Sequence, residues 1–440
     1  MRVIIFDLDL TLAATEECHA YLRTRIGRES VVEALQSKTV DVSFYSSRLV
    51  RYVNALLNNT ECCVIVVSDS PKDYCVEVLK QGGYKISERW IFGSQSKPLV
   101  LHDAIADAVA EEYEVLASSL SYLVVGDSPK DIYYAHHIAS PSIFVSWGSK
   151  QSTMAHHANP TYRADKIQDL EKCINVFLSG KLAYKPYDFK KDYLVLDPQS
   201  KEFRRTELPV ERIGYGKEYV KNKDDYRDIK DVWASNELRW VVKQAKNLSK
   251  AQHEARVGTP LFGKNGLYSA DPFKSKAGHF KNDFIRWCER NNIKGNVLLV
   301  PVPPSVPREC NLTHSMSIMS HWWEKWINSE DHGLTIKVHD IFERFWPKVP
   351  SHQSSGWRDM DDQFATLGLF LGLQKKVNNA HFVVIIDDVV TSGSHINAIA
   401  SFVRTLGLVD SNVQIYGYAL FKTIKIEAAN DIDMSWLDDL

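Results

Sequence analysis

The chain has 440 residues, 44% of them hydrophobic, enough for two or three domains with ordinary buried cores. Its 53 Lys and Arg balance 55 Asp and Glu at a formal net charge of −2, which excludes a whole-molecule electrostatic binder of nucleic acid and leaves only local basic patches. Seven scattered cysteines without a C-x-x-C pair exclude the usual zinc clip and read as reduced thiols of a cytoplasmic protein.

The N-terminus enters a short apolar strand, 3–6, closed by two acids, where a leader would carry a longer apolar run. No run approaches the roughly 20 apolar residues of a membrane span, so no membrane partner is expected. Further β-rich runs at 63–67, 122–125 and 143–147, with helix-like segments between them, predict βα units and a parallel sheet. Two turns echo each other: Ser68-Asp-Ser-Pro-Lys-Asp73 and Gly126-Asp-Ser-Pro-Lys-Asp131 each follow a Val-rich strand and open a helical pattern. Their Pro and Lys are either parts of a well-made strand-to-helix turn or parts of a site.

From 179 to 235 the texture changes to Tyr, Lys, Arg and Asp without helical period, an irregular or β connector with a possible hairpin at 193–205. Its patch at 184–205 interleaves cations with aromatics, which suits either a solvated strand pair or a strand of nucleic acid. Phe280, Phe284, Trp287 and Cys288 then mark an amphipathic helix, followed by a buried strand at 296–302. Trp322, Trp323 and Trp326 lie in another helical run and read as core. An apolar strand, 382–386, runs into Asp387-Asp388 and a Ser/Thr/Gly turn before a helix at about 395–406. The fold class expected is α/β, with two doubly wound parallel-sheet domains at 1–178 and 236–440 joined by the connector 179–235.

Carboxylates at the tip of a parallel strand lie where open α/β sheets place ligands. In Asp7-Leu-Asp9-Leu-Thr11 two such acids repel unless a cation such as Mg²⁺ resolves the conflict, after which one can attack phosphorus while the other handles protons. This segment resembles the first motif of the haloacid dehalogenase superfamily, D-x-D-x-T after an apolar strand. Ser68 matches the second motif's hydroxyl, Lys97 before Pro98 the third motif's cation, and Gly126-Asp127 with Asp131 the fourth motif's acids. Val145-Ser-Trp-Gly148 fits a following strand and turn. The resemblance covers roughly residues 1–175 and implies a phosphatase. Asp7 would be the nucleophile and Asp9 the acid and base, with Ser68 and Lys97 stabilising the transferred oxygens. Mg²⁺ would be held by Asp127 with Asp7, the Asp9 carbonyl and Asp131. Only 56 residues separate Thr11 from Ser68, so a small cap or none is expected, and an open site would admit nucleotides, polynucleotide ends or phosphoproteins.

In the second half, Asp387 and Asp388 can accept hydrogen bonds from adjacent ribose hydroxyls, while Thr391, Ser392, Gly393 and Ser394 form an anion-binding turn at a helix start. The string Val383–His395 resembles the PRPP-binding motif of type I phosphoribosyltransferases. Val300-Pro-Val-Pro-Pro304, Arg308 and Asn311, with Arg344, Gln353 and Arg358, point to the branch of ComF-like competence proteins, without that branch's N-terminal four-cysteine module. The resemblance implies that Arg308 lies on the pyrophosphate side and that Arg344, Lys348 or Arg358 sits on a closing loop. It leaves open whether the domain transfers a phosphoribosyl group, with Mg²⁺, or only senses PRPP or a nucleotide. The paired histidines 136–137 and 156–157 diverge by roughly 100° on a helix and make no metal site by themselves.

Three functions fit these readings. They are a bifunctional enzyme of nucleotide or nucleic-acid metabolism, a phosphatase regulated by a PRPP-sensing domain, and a phosphatase of nucleic-acid ends.

Overall fold

The computed structural model describes residues 1–22, 25–149, 155–220, 260–262, 268–269, 271–310, 314–348, 360–373 and 375–424. Asn311, Gln353 and Arg358, together with part of the expected connector, lie outside these residues.

The first half is built on six strands: β1 (Arg2–Phe6), β2 (Cys62–Val67), β3 (Ile91–Phe92), β4 (Ser121–Gly126), β5 (Ser142–Val145) and β6 (Tyr162–Ala164). They pair in parallel in the order β3-β2-β1-β4-β5-β6. Every residue of β2 is buried, as in a strand covered on both faces. The intervening helices are α1 (His19–Leu22), α2 (Arg25–Gln36), α3 (Ser47–Leu56), α4 (Lys72–Gln81), α5 (His102–Glu112), α6 (Pro129–His137) and α7 (Ile167–Leu178). The echoed turns therefore open α4 and α6. Because chain order reverses between β1 and β4, their C-terminal ends flank the crevice where an open α/β sheet binds ligands.

The second half has a five-stranded sheet, also all parallel, in the order β12-β11-β15-β16-β8. Its members are β8 (Ile213–Val220), β11 (Gly295–Pro301), β12 (Leu334–Val338), β15 (Phe382–Val390) and β16 (Gln414–Ile424). A short pair, β9 (Pro260–Phe262) and β10 (Tyr268–Ser269), is antiparallel. So is the small sheet β13-β14-β7, formed by β7 (Tyr193–Leu194), β13 (Phe342–Arg344) and β14 (Leu367–Phe370). The helices are α8 (Asp271–Arg290), α9 (Ser315–Asn328), α10 (Asp361–Phe364) and α11 (Ser394–Thr405). Phe280, Phe284 and Cys288 are buried, and Trp323 stacks on Phe284 at 5.1 Å in the core, with Trp322 and Trp326 partly buried against it.

The segment read as a connector contributes structure to this half. Tyr193 and Leu194 pair with β14 rather than with a partner near 205, so no hairpin forms at 193–205, and β8 is the edge strand of the larger sheet. Two short motifs without a strong alternating pattern, β3 and β7, were invisible for want of length. The aromatics at 184–193 are likewise spoken for. Phe189 meets Tyr133 at 4.9 Å, His136 at 5.0 Å, Tyr187 at 4.8 Å and Trp346 at 5.4 Å. These rings form a seam between α6 of the first half and residues 306–346 of the second, with Ile132, Phe144, Cys310 and Phe345 buried in it. Two of these contacts are edge to face and two are tilted. Across the seam Tyr133 donates to Glu309 at 2.6 Å, and within the second half Tyr193 donates to Glu343 at 3.2 Å. Among the described residues no helix is long and apolar enough to cross a membrane.

Candidate active site

Strand β1 stops where Asp7 donates its N–H to the Val125 carbonyl at 2.9 Å, setting the acid beside the end of β4. The following loop turns through Leu10 at φ 62°, a left-handed conformation costly for a branched side chain. Its carbonyls are held from outside: Tyr45 donates to the Leu10 oxygen at 3.3 Å and Trp147 to the Thr11 oxygen at 3.1 Å. The aromatic of Val145-Ser-Trp-Gly148 thus fixes the loop that carries Asp9.

Asp7, Asp127 and Asp131 gather into one buried group, with a ligand oxygen from each within 4.8 Å of the others. Lys97 reaches into it from the segment after β3, donating to Asp7 at 2.5 Å and to Asp131 at 2.7 Å. Asp131 also accepts from the Ser128 N–H at 3.1 Å and the Ser128 hydroxyl at 2.9 Å, closing a capping box at the start of α6. Gly126 makes this possible, because a Cβ there would overlap the Asp131 carboxylate. Both oxygens of Asp131 are therefore engaged; Asp7 has Lys97 on one oxygen, and its other oxygen and Asp127 each lie 3.5 Å from the Thr11 hydroxyl.

Three carboxylates face one ammonium, leaving an excess of negative charge in a place removed from water. Burial, and then Asp131 and Asp9 against the opposing pull of Lys97, push the Asp7 carboxyl up to about 8. Burial together with Asp7 and Asp131 pushes Asp127 well above the carboxylate range. Burial pulls the Lys97 ammonium down, but Asp131 and Asp7 outweigh it and keep it protonated. Clustered oxygen donors that resist ionising together fit a hard divalent cation such as Mg²⁺, which takes one or two carboxylates directly and completes its shell with water and phosphate. Asp7, Asp127 and Asp131 each offer an oxygen to such a position, and both oxygens of Asp131 already accept hydrogen bonds.

The Asp9 side chain lies outside this group. Its carboxylate accepts from Ser70 at 2.6 Å, from Tyr74 at 2.8 Å and from Ser68 at 3.4 Å. Burial and Asp9 itself hold the Tyr74 phenol well above its ordinary value, so it remains a donor. Ser68 in turn accepts the Ser70 N–H at 3.0 Å. The two echoed turns are laced together, since Lys130 of the second donates to Asp69 of the first at 3.1 Å and Asp69 also accepts the Lys97 N–H at 2.8 Å. Lys72, its counterpart in the first turn, is exposed. Sequence reasoning named Asp7, Asp9, Ser68, Lys97, Asp127 and Asp131. It missed the roles of Asp69, Ser70 and Tyr74, of which only the echo around Asp69 and Lys130 gave a signal.

In the second half chain order reverses between β11 and β15, so the Val300–Pro304 segment and the acids of β15 flank its crevice. Asp387 and Asp388 belong to the strand itself, which runs on to Val390. The Asp387 carboxylate accepts the Asp388 N–H at 2.8 Å and lies 3.5 Å from His395 Nδ1. Gly393 has φ 78° immediately before α11, and Thr391 and Ser392 are exposed at the turn. The Ser392 hydroxyl donates to Ser394 at 3.3 Å, and Thr391 bonds Thr423 at 3.0 Å.

The basic residues expected on the pyrophosphate side are placed differently from one another. Arg344 is no loop residue: it ends β13 and is 1% exposed, donating to the Gln363 carbonyl at 3.0 Å, the Gln363 side chain at 2.6 Å and Thr366 at 2.6 Å. Burial pulls its guanidinium down to about 10 while nearby Asp387 opposes. Arg308 pairs with Asp340 at 3.1 Å and Glu343 at 3.1 Å beside the seam. Lys348 is half-buried, and burial with the neighbouring Arg344 lowers its ammonium to about 8 against the opposing pull of Asp362. Arg358 lies outside the described residues. The histidine pairs join no metal group among the described residues; His136 instead bonds the Ala158 carbonyl at 3.0 Å.

No protein-family model and no curated protein matches this sequence. Among solved structures the N-terminal part of the chain is similar to a hydrolase from Pseudomonas syringae, with a TM-score of 0.32 and 15% identity over 40% of this chain and 98% of that one. It is also similar to the D,D-heptose 1.7-bisphosphate phosphatase from B. bronchiseptica complexed with magnesium and phosphate, with a TM-score of 0.28 and 15% identity over 40% of this chain and 98% of that one. A haloacid dehalogenase-like family hydrolase from Streptococcus pneumoniae aligns with a TM-score of 0.27 and 16% identity over 39% of this chain and 97% of that one.

Proposed function

We propose that the chain joins an Mg²⁺-dependent phosphomonoesterase in its first half to a domain that binds ribose 5-phosphate compounds such as PRPP in its second. The observation that carries the first part is the burial of Asp7, Asp127, Asp131 and Lys97 together at the point where sheet order reverses. Mg²⁺ held by Asp7 and Asp127, with the Asp9 carbonyl as a further ligand, would supply the charge that keeps these acids ionised and screens the substrate phosphate. Asp7 attacks phosphorus, the bond from phosphorus to the ester oxygen breaks, and Asp9 gives that oxygen its proton. Water then displaces Asp7 from phosphorus and leaves a proton on Asp9, which restores both residues. Lys97 and Ser68 offset the charge on the transferred oxygens, so the work is mostly positioning and electrostatics.

The second part is supported by Asp387 and Asp388 at the other reversal point and by the Thr391–Ser394 turn opening α11. There the acids orient ribose hydroxyls, the turn receives the 5′-phosphate, and Lys348 faces the pyrophosphate. With a base as acceptor, the two sites form a bifunctional enzyme of nucleotide or nucleic-acid metabolism. A second reading, in which the domain senses its ligand and adjusts the phosphatase, is favoured by the Tyr133–Glu309 bond, because Tyr133 lies on the same helix as Asp131.

Phosphate release from a panel of nucleotides, sugar phosphates and oligonucleotide ends tests the first part. Activity should require Mg²⁺ and vanish in Asp7→Asn; activity that survives the substitution refutes it. For the second part, PRPP should bind the wild type and not Asp387→Asn. Pyrophosphate release with a base marks transfer, and binding without release marks sensing.

A further inference from the structure

We infer that Tyr74 and Ser70 are positioning residues that hold the Asp9 carboxylate apart from the acid cluster, where it meets the leaving oxygen. The inference rests on the phosphatase reading and deepens it. The loop that carries Asp9 is held at the Leu10 and Thr11 carbonyls, which fixes its backbone and leaves the direction of the carboxylate to side-chain partners. Its two oxygens are gripped separately, Oδ1 by the Tyr74 hydroxyl at 2.8 Å and Oδ2 by the Ser70 hydroxyl at 2.6 Å, with the Ser68 hydroxyl a longer contact to Oδ2 at 3.4 Å. Tyr74 is fully buried in the first turns of α4 and its ring cannot follow a wandering carboxylate, so Oδ1 is the anchored oxygen. The Ser70 hydroxyl can rotate about its own bond, which lets Oδ2 exchange that partner for the departing oxygen.

This division of labour explains a feature the cluster alone leaves open. Two carboxylates only two residues apart must do different chemistry, and without the grip Asp9 could swing toward the same cation as Asp7. A carboxylate turned that way would no longer deliver a proton opposite the attacking oxygen. The clasp separates the two roles by geometry.

The reaction step concerned is proton delivery as the ester bond to phosphorus breaks, and its signature is dependence on the leaving group. A 4-nitrophenolate departs without needing a proton, whereas phenolate needs one. The experiment compares 4-nitrophenyl phosphate with phenyl phosphate for the full-length wild type, Tyr74→Phe and Ser70→Ala in Mg²⁺. Loss of one hydrogen bond to the charged group should lower kcat/KM, which reports the steps up to cleavage of the ester bond, on phenyl phosphate by roughly ten- to a hundredfold in Tyr74→Phe, against about threefold or less on 4-nitrophenyl phosphate. Ser70→Ala should shift the ratio in the same direction. The rise in melting temperature on adding Mg²⁺ should persist in both variants, because the cluster acids are untouched.

An equal fall on both esters, or no fall on either, overturns the positioning role and leaves the phosphatase reading standing. A wild type that hydrolyses neither ester nor any compound of the wider panel removes the phosphatase reading and this inference with it. If Tyr74→Phe fails to fold, the Ser70→Ala ratio decides alone.

Discussion

Lys97→Met isolates the electrostatics of the acid cluster, since methionine keeps the apolar stem and discards the charge. In the structure the Lys97 side chain is 5% exposed and pairs with Asp7 at 2.5 Å and Asp131 at 2.7 Å. Breaking a buried pair strands its partners in a medium that solvates them poorly, at a cost of about 3–5 kcal/mol. For a domain of roughly 150–250 residues each 1 kcal/mol moves the melting temperature by about 2–4 °C, so the variant should melt on the order of 10 °C lower in chelator. Mg²⁺ acts in the opposite direction. With three carboxylates and no ammonium the cluster gains more from a divalent cation than the wild type does, so the Mg²⁺-induced rise should be larger in the variant. Activity should fall as well, because the cation's charge does not replace that of Lys97 on the transferred oxygens. Differential scanning fluorimetry in EDTA and in saturating Mg²⁺ reads both effects. A variant within about 1 kcal/mol of wild type in EDTA, or one whose Mg²⁺ shift is the smaller, refutes the account.

Gly126→Ala should force Asp131 off Lys97, because the new Cβ occupies the carboxylate's place; we expect about 1–3 kcal/mol of lost stability and a fall in kcat of at least about tenfold, measured by urea unfolding and phosphate release. His102 bonds the Tyr134 hydroxyl at 2.9 Å, and burial pulls its ring down from 6.5 to about 4. The folded form then binds fewer protons than the unfolded chain, so stability should decline as pH falls from about 6.5 towards 4, and His102→Asn should flatten that part of the melting profile. Arg344→Met strips a buried side chain's bonds to Gln363 and Thr366 and should cost about 2–4 kcal/mol in urea unfolding. A loss of PRPP affinity in that variant without a loss of stability would restore Arg344 to the ligand's side.

Much of the acid site was legible because its chemistry needs fixed residue types at strand ends. Asp7 and Asp127 each follow a recognisable apolar run, and Asp131 lies in the first turn of the helix that the second run leads into. Tyr74 and Ser70 carried no such mark: a tyrosine inside a helix reads as core, and only the approach of α4 to the Asp9 loop turns it into a partner. In the second half Asp387 and Gly393 were equally plain, but Arg344 looked like a loop cation until its burial beside Gln363 became visible. The connector misled for a related reason. Short strands such as Tyr193–Leu194 gain their stability from a partner far along the chain, here β14.

By itself, then, the amino-acid order determined which groups stand at the strand ends: apolar runs make parallel strands, and acids at their ends have nowhere to go but the crevice. Only the folded chain decided which groups meet. Ion pairs such as Lys97 with Asp131, and the ring seam that ties Tyr133 to Glu309, depend on distances of a few ångströms between residues 34 and 176 positions apart. Local propensity carries no information at that separation, because those contacts form only when the helices and strands around them have packed.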